Sequence, residues 1–125
     1  NMNPAAGADS QYAWSNTYLL SPRGTPAGGG YSTTGDLLLF DKALRGYRLL
    51  DTTYTHLLFN RWEGSPDVDL EPPSGLSRTA GGAPGVSAEI ARDFTHGYTI
   101  IVLSNYDFPV ANQVSTDIVK ALGLM

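Results

Sequence analysis

The chain has no cysteine, so no disulfide holds the fold and nothing in its thiol content marks a redox compartment. No apolar run approaches the roughly twenty residues that a membrane helix needs. No basic-then-apolar segment opens the chain, so no signal peptide is visible. Positive charge is also scarce. With 8 Lys and Arg against 12 Asp and Glu, the net charge of −4 gives no electrostatic reason to expect nucleic acid or an anionic membrane as partner. Imidazole is confined to His56 and His96, and lysine to Lys42 and Lys120.

What is present describes a globular chain rich in turns. Its 125 residues fit one domain with a modest core, and 42% hydrophobic residues argue against disorder. The 14 glycines and 8 prolines imply many turns. Residues 1–31 show no sustained period, and Pro22, Gly24, Pro26 and Gly28 to Gly30 interrupt any regular element. Tyr12, Trp14, Tyr18, Leu19 and Leu20 read either as anchors of an irregular lead-in or as part of a disordered one. The chain opens Asn1-Met2; unless Met2 is a natural start, it is a piece of a longer protein.

Two helices are predicted next, within residues 33–59. The first runs from Thr33 to Gly46, with Thr33 as cap, Asp36 at the positive end and Gly46 as the stop. Leu37, Phe40 and Leu44 share one of its faces. The second spans Thr52 to Phe59, capped by Asp51, with Tyr54, Leu57 and Leu58 as its buried side. Asn60 to Arg78 reads as a loop.

The organising stretch is Thr79 to Asn105. Val86 to Asp93 reads as a strand with Val86, Ala88 and Ile90 on one face, Thr95-His96-Gly97 as a turn, and Tyr98 to Asn105 as a second strand. Ile100 to Leu103 is apolar without a break, so both faces of that strand need cover. Pro109 opens a last helix over residues 109–122, with Val110, Val114, Ile118 and Leu122 as its apolar stripe and Gly123 as its end. The fold class expected is α+β: an antiparallel sheet, made of this hairpin plus a short third strand, with helices on both faces.

Several chemical motifs fail on inspection. Gly30 to Gly35 has the glycine spacing of a phosphate loop, but Asp36 stands where the lysine belongs. Asp67, Asp69 and Glu71 alternate as calcium ligands do, without the central glycine or the full ligand set; a solvated acidic loop fits better. His56 and His96 have no third ligand at zinc spacing. Gly85-Val-Ser87-Ala-Glu89 ends in Glu and is no nucleophile elbow. Ser87 and Ser104 read as ordinary strand residues.

Two stretches resemble one family. PAGGGYSTTGDLLLFDKAL, from Pro26 to Leu44, and TAGGAPGVSAEIARDFTHGYTIIVLSNYDFP, from Thr79 to Pro109, are similar to the C-terminal part of class C beta-lactamases and related penicillin-recognising serine hydrolases. The order of elements agrees over nearly the whole chain. The resemblance implies an acyl-enzyme route with three motifs: Ser-x-x-Lys, Tyr-x-Asn, and a Lys-Thr-Gly or His-Thr-Gly triplet on a strand edge. The chain has neither of the first two. The third falls at Thr79-Ala80-Gly81, where only Gly81 fits, and Gly82 would offer an oxyanion N–H. Thr79 brings no positive charge to a substrate carboxylate. Taken alone, Thr79, Ala80, Gly81 and Gly82 also read as a strand start with no catalytic role.

The resemblance implies the C-terminal part of a hydrolase for beta-lactams, esters or peptides, inactive without an upstream half that carries the nucleophile. The alternative is a non-catalytic binding or assembly domain on the same scaffold. No cofactor or metal is implied. The family is periplasmic or secreted. The outer edge of the strand Tyr98 to Asn105 would be unpaired without the upstream half. It should therefore recruit a second copy by strand pairing or domain swapping, unless residues 1–31 fold back over it.

Overall fold

Thr33 starts the first helix, α1, by turning its hydroxyl to the backbone. Its Oγ1 accepts from the N–H of Asp36 at 3.1 Å and donates to Oδ2 of the same residue at 2.9 Å. In this computed structural model, which describes residues 24–26, 28–60 and 72–124, α1 spans Thr34–Arg45. The early anchors up to Leu20 and the acidic positions Asp67, Asp69 and Glu71 lie outside the described residues. Gly46 follows α1 but does not adopt the left-handed backbone of a glycine stop, since its φ is −87°. Tyr47 takes that conformation instead, at φ 56°. Its hydroxyl hydrogen-bonds Nε2 of His56 at 3.1 Å, which ties down a conformation that costs a side-chain-bearing residue about 1–2 kcal/mol. Gly46 serves a close approach: a Cβ there would lie 3.0 Å from the carbonyl of Lys42.

The second helix, α2, spans Thr52–Asn60, and Oδ1 of Asp51 caps it by accepting from Tyr54 N–H at 2.9 Å. Its buried side differs from the one expected. Thr55, His56 and Phe59 point inward, whereas Tyr54 and Leu58 are exposed. The reason is Phe59: its ring meets Phe94 edge-on at 5.0 Å, and Arg92 stacks on it at 5.3 Å.

Three antiparallel strands follow, β1 (Leu76–Ala83), β2 (Val86–Asp93) and β3 (Tyr98–Ser104), in the order β1-β2-β3. β1 begins three residues before Thr79, inside the predicted loop, and its eight residues make it as long as β2 rather than a short third strand. Gly97, at φ 80°, closes the second hairpin and donates to the carbonyl of Asp93 at 2.9 Å.

The last helix, α3, spans Val110–Ala121, with Pro109 as its N-cap residue after a cis peptide bond from Phe108. Ser87 is no ordinary ladder residue: its Oγ accepts from the N–H of Ala111 at 3.1 Å and satisfies one of the free donors of that helix end. α3 lies on one face of the sheet, with Ala91, Ile100 and Val119 as the core between them and Leu76, Val102 and Leu124 around it. α1 and α2 lie on the other face, as the bonds from α1 to Arg92 and Thr99 show. The architecture is therefore α+β, with helices on either side of a three-stranded antiparallel sheet.

Two apolar faces sit differently from the sequence reading. On β2 the buried residues of one face are Ser87, Glu89, Ala91 and Asp93, while on the opposite face Val86, Ala88 and Ile90 are half-buried and Arg92 is buried. On α3 the residues against the sheet are Ala111, Ser115 and Val119, while Val114, Ile118 and Leu122 remain 42%, 37% and 46% exposed. Small side chains let the helix approach the sheet closely, so the larger stripe beside them is turned partly outward.

Candidate functional site

Thr79, Ala80, Gly81 and Gly82 are consecutive residues of β1, opposite Ile90, Glu89, Ala88 and Ser87, and all four are exposed. Among the described residues β1 is an edge strand, so half of its backbone groups face away from β2. One bond fixes which half. The N–H of Phe94 donates to the carbonyl of Gly75 at 2.9 Å, so Gly75 faces β2. In an antiparallel ladder this alternates residue by residue. Thr79 and Gly81 then bond to β2, and Ala80 and Gly82 turn their N–H groups outward.

The face below Thr79 is charged. Its Oγ1 accepts from Nη1 of Arg92 at 3.2 Å, and Nε of Arg92 donates to Oδ1 of Asp41 on α1. The hydroxyl of Thr99 donates to the other oxygen of Asp41 at 2.8 Å and accepts from Nη1 of Arg45 at 3.1 Å. Arg45 also stacks on Phe94 at 5.3 Å. A cation thus does lie next to Thr79, supplied by β2 rather than by the triplet's first position, but Asp41 neutralises it.

The other face carries a second set. Oε1 of Glu89, fully buried, accepts from Nη1 of Arg78 at 2.7 Å, and its Oε2 accepts from Nδ2 of Asn112. The same Arg78 nitrogen donates to Thr116 at 3.0 Å. These bonds fasten β1 and β2 to α3 directly beneath Ala80. Gly82 is approached from outside: a Cβ there would meet Cβ of Phe108 at 3.1 Å and the carbonyl of Val86 at 3.2 Å.

The arrangement brings together the four expected residues as one exposed backbone edge with two outward N–H groups. Among the described residues no Ser-x-x-Lys pair stands beside them. Sequence reasoning missed Asp41, Arg92, Thr99 and Glu89. The available signal was charge inside a central strand: Glu89, Arg92 and Asp93 sit on β2, and a buried charge requires a partner.

The two histidines are structural in placement. Nδ1 of His96 donates to Oδ2 of Asp93 at 2.6 Å, and the N–H groups of Thr95 and His96 donate to Oδ1 at 2.9 and 3.1 Å. Burial pushes the Asp93 carboxyl up, but these hydrogen bonds and the charge of His96 outweigh it and hold the group below its usual value. Among the described residues no group of three or more His, Cys, Asp or Glu gathers as a metal site would, and no helix is long and apolar enough to cross a membrane.

Two open hollows lie away from the four residues. One, of about 450 Å³, follows α3 from Asn112 to Lys120. The other, of about 390 Å³, is lined by Leu38, Lys42, Arg45, Gly46, Gly97 and Thr99. No protein-family model, curated protein or solved structure matches the chain.

Proposed function

We propose that the chain is the C-terminal portion of a beta-lactamase-related serine hydrolase, catalytically silent by itself. The observation that carries this reading is the edge of β1. Among the described residues nothing pairs with the outer edge of Gly81 and Gly82, and the N–H of Gly82 is directed outward, as a strand-edge oxyanion donor requires. The upstream half would supply the serine, its lysine and the tyrosine, and with them hydrolysis of a beta-lactam, ester or peptide. Exposed apolar side chains give further support. Leu39, Phe40, Tyr54 and Leu58 on α1 and α2 are 66%, 50%, 61% and 49% exposed, a large apolar surface for so small a domain.

The test is to offer the chain a chromogenic beta-lactam and a short-chain ester, alone and mixed with an upstream half carrying Ser-x-x-Lys. We expect no turnover alone and serine-dependent turnover in the mixture. Turnover by the chain alone would overturn the silence, and an inert mixture would overturn the hydrolase reading.

A second reading, a binding or assembly domain on this scaffold, is favoured by the outer edge of β3. Nothing among the described residues pairs with that edge. A second copy adding its own β3, or exchanging elements, would satisfy it. Sedimentation over a wide concentration range separates the cases, since strand pairing gives a dimer that dissociates on dilution.

A further inference from the structure

The phase of the ladder assigns donors and acceptors to the β3 edge as it did for β1. Gly75 faces β2, and its partner Phe94 faces β1, so Asp93 and the other odd residues of β2 face β3. Their partners Tyr98, Ile100, Val102 and Ser104 face back. Thr99, Ile101 and Leu103 therefore present N–H and C=O groups outward. α1 packs against β3, with Leu38, Lys42 and Arg45 at i, i+4 and i+7 on the side that lines the 390 Å³ hollow with Gly97 and Thr99. The helix and the strand edge, unpaired among the described residues, thus meet in a groove that is cationic beside Thr99.

The charge at that end is unbalanced. Among the described residues Asp41 is the one carboxylate in the network, and it is shared by Arg92, which bonds to it, and Arg45, 3.8 Å away, so the cations outnumber it. Lys42 is exposed and has no ion-pair partner among the described residues.

We propose that this groove takes the C-terminal end of a separate, extended polypeptide, added antiparallel to β3, with its terminal carboxylate held by Lys42 and Arg45. Direction follows from charge. A strand antiparallel to β3 passes Leu103 first and ends beside Thr99, where its carboxylate meets the two cations. A parallel strand would bring a positive N-terminus there instead. The backbone edge supplies affinity, and alternate apolar side chains of the peptide rest near Ile101 and Leu103. This inference rests on the binding-domain reading.

The probe is a labelled, N-acetylated hexapeptide of alternating threonine and valine, offered to the full chain and read by fluorescence anisotropy. The free acid should bind at least about tenfold more tightly than the C-terminal amide, since a charge-assisted bond is lost in the amide. Lys42→Glu should remove that preference and Lys42→Arg should keep it; an exposed side chain makes both variants safe for folding. Methylating alternate peptide nitrogens should abolish binding. Equal binding of acid and amide, indifference to N-methylation, or no binding at about 1 mM would each overturn the proposal. So would a dimer whose dissociation is unaffected by the peptide, because a second copy would then own the edge. Turnover of a beta-lactam by the isolated chain would count against the silence proposed above and leave the peptide result to stand.

Discussion

Asp41 on α1, wholly buried, accepts a hydrogen bond from Nε of Arg92 on β2, 51 positions further along the chain. The pair is only 0% and 5% exposed at its side chains, so neither charge has water to turn to if the other is removed. Arg92→Met alone, or Asp41→Leu alone, should lower the free energy of unfolding in urea by about 3–5 kcal/mol. The double variant should recover most of that loss. A double variant as unstable as the sum of the two would show that the pair is not the unit that matters.

Gly82 is tight by design of its surroundings rather than by its own backbone angle. Gly82→Ala should destabilise by about 1–3 kcal/mol, the range for overpacking. The nearest side-chain atom is Cβ of Phe108, a residue 60% exposed, so Gly82→Ala with Phe108→Gly should regain part of the loss while the carbonyl of Val86 keeps the rest. Full recovery would mean that the backbone contact costs nothing.

Asp93 gives a pH dependence with a definite sign. Its carboxyl is held below the reference value of 3.8, so the folded state favours the ionised form. Its contribution is complete above that reference value and is lost as pH falls through the lower folded value. His96→Ala removes a hydrogen bond and a charge, and should move the Asp93 titration upward, as followed by carboxyl NMR. An unmoved titration would show that the Thr95 and His96 backbone donors suffice.

The two stripes of α3 should respond unequally. Val119 is fully buried, and Val119→Ala should cost about 2–3 kcal/mol. Val114, at 42% exposure, should cost less than about 1 kcal/mol when changed to Ala in the isolated chain. If an upstream half or a partner covers that stripe, the same change should weaken its association.

The local signals in the sequence were sound where local chemistry decides. Thr33 and Asp51 cap their helices, Gly97 closes its turn, and α3 starts after Pro109, because each depends on groups within about four residues. The faces were harder. Val110, Val114, Ile118 and Leu122 are the more apolar stripe of α3, yet Ala111, Ser115 and Val119 meet the sheet. The winning stripe combines small size with the Ser87 bond to Ala111 N–H, neither of which hydropathy registers. That Thr79 to Gly82 lie together on one strand needed no tertiary information, because they are consecutive in the chain. Arg92 beneath Thr79 was not legible, since its partner Asp41 is remote in sequence.

The sequence by itself determined the order of elements, their caps and turns, and the absence of a serine-lysine pair, since all of these are set by neighbours along the chain. The tertiary structure alone decided which face of each element is buried, which charges on β2 find partners, and which backbone groups of β1 and β3 point outward. Those depend on residues tens of positions apart being brought within a hydrogen bond of one another, and a single N–H from Phe94 to Gly75 sets the phase for the whole sheet.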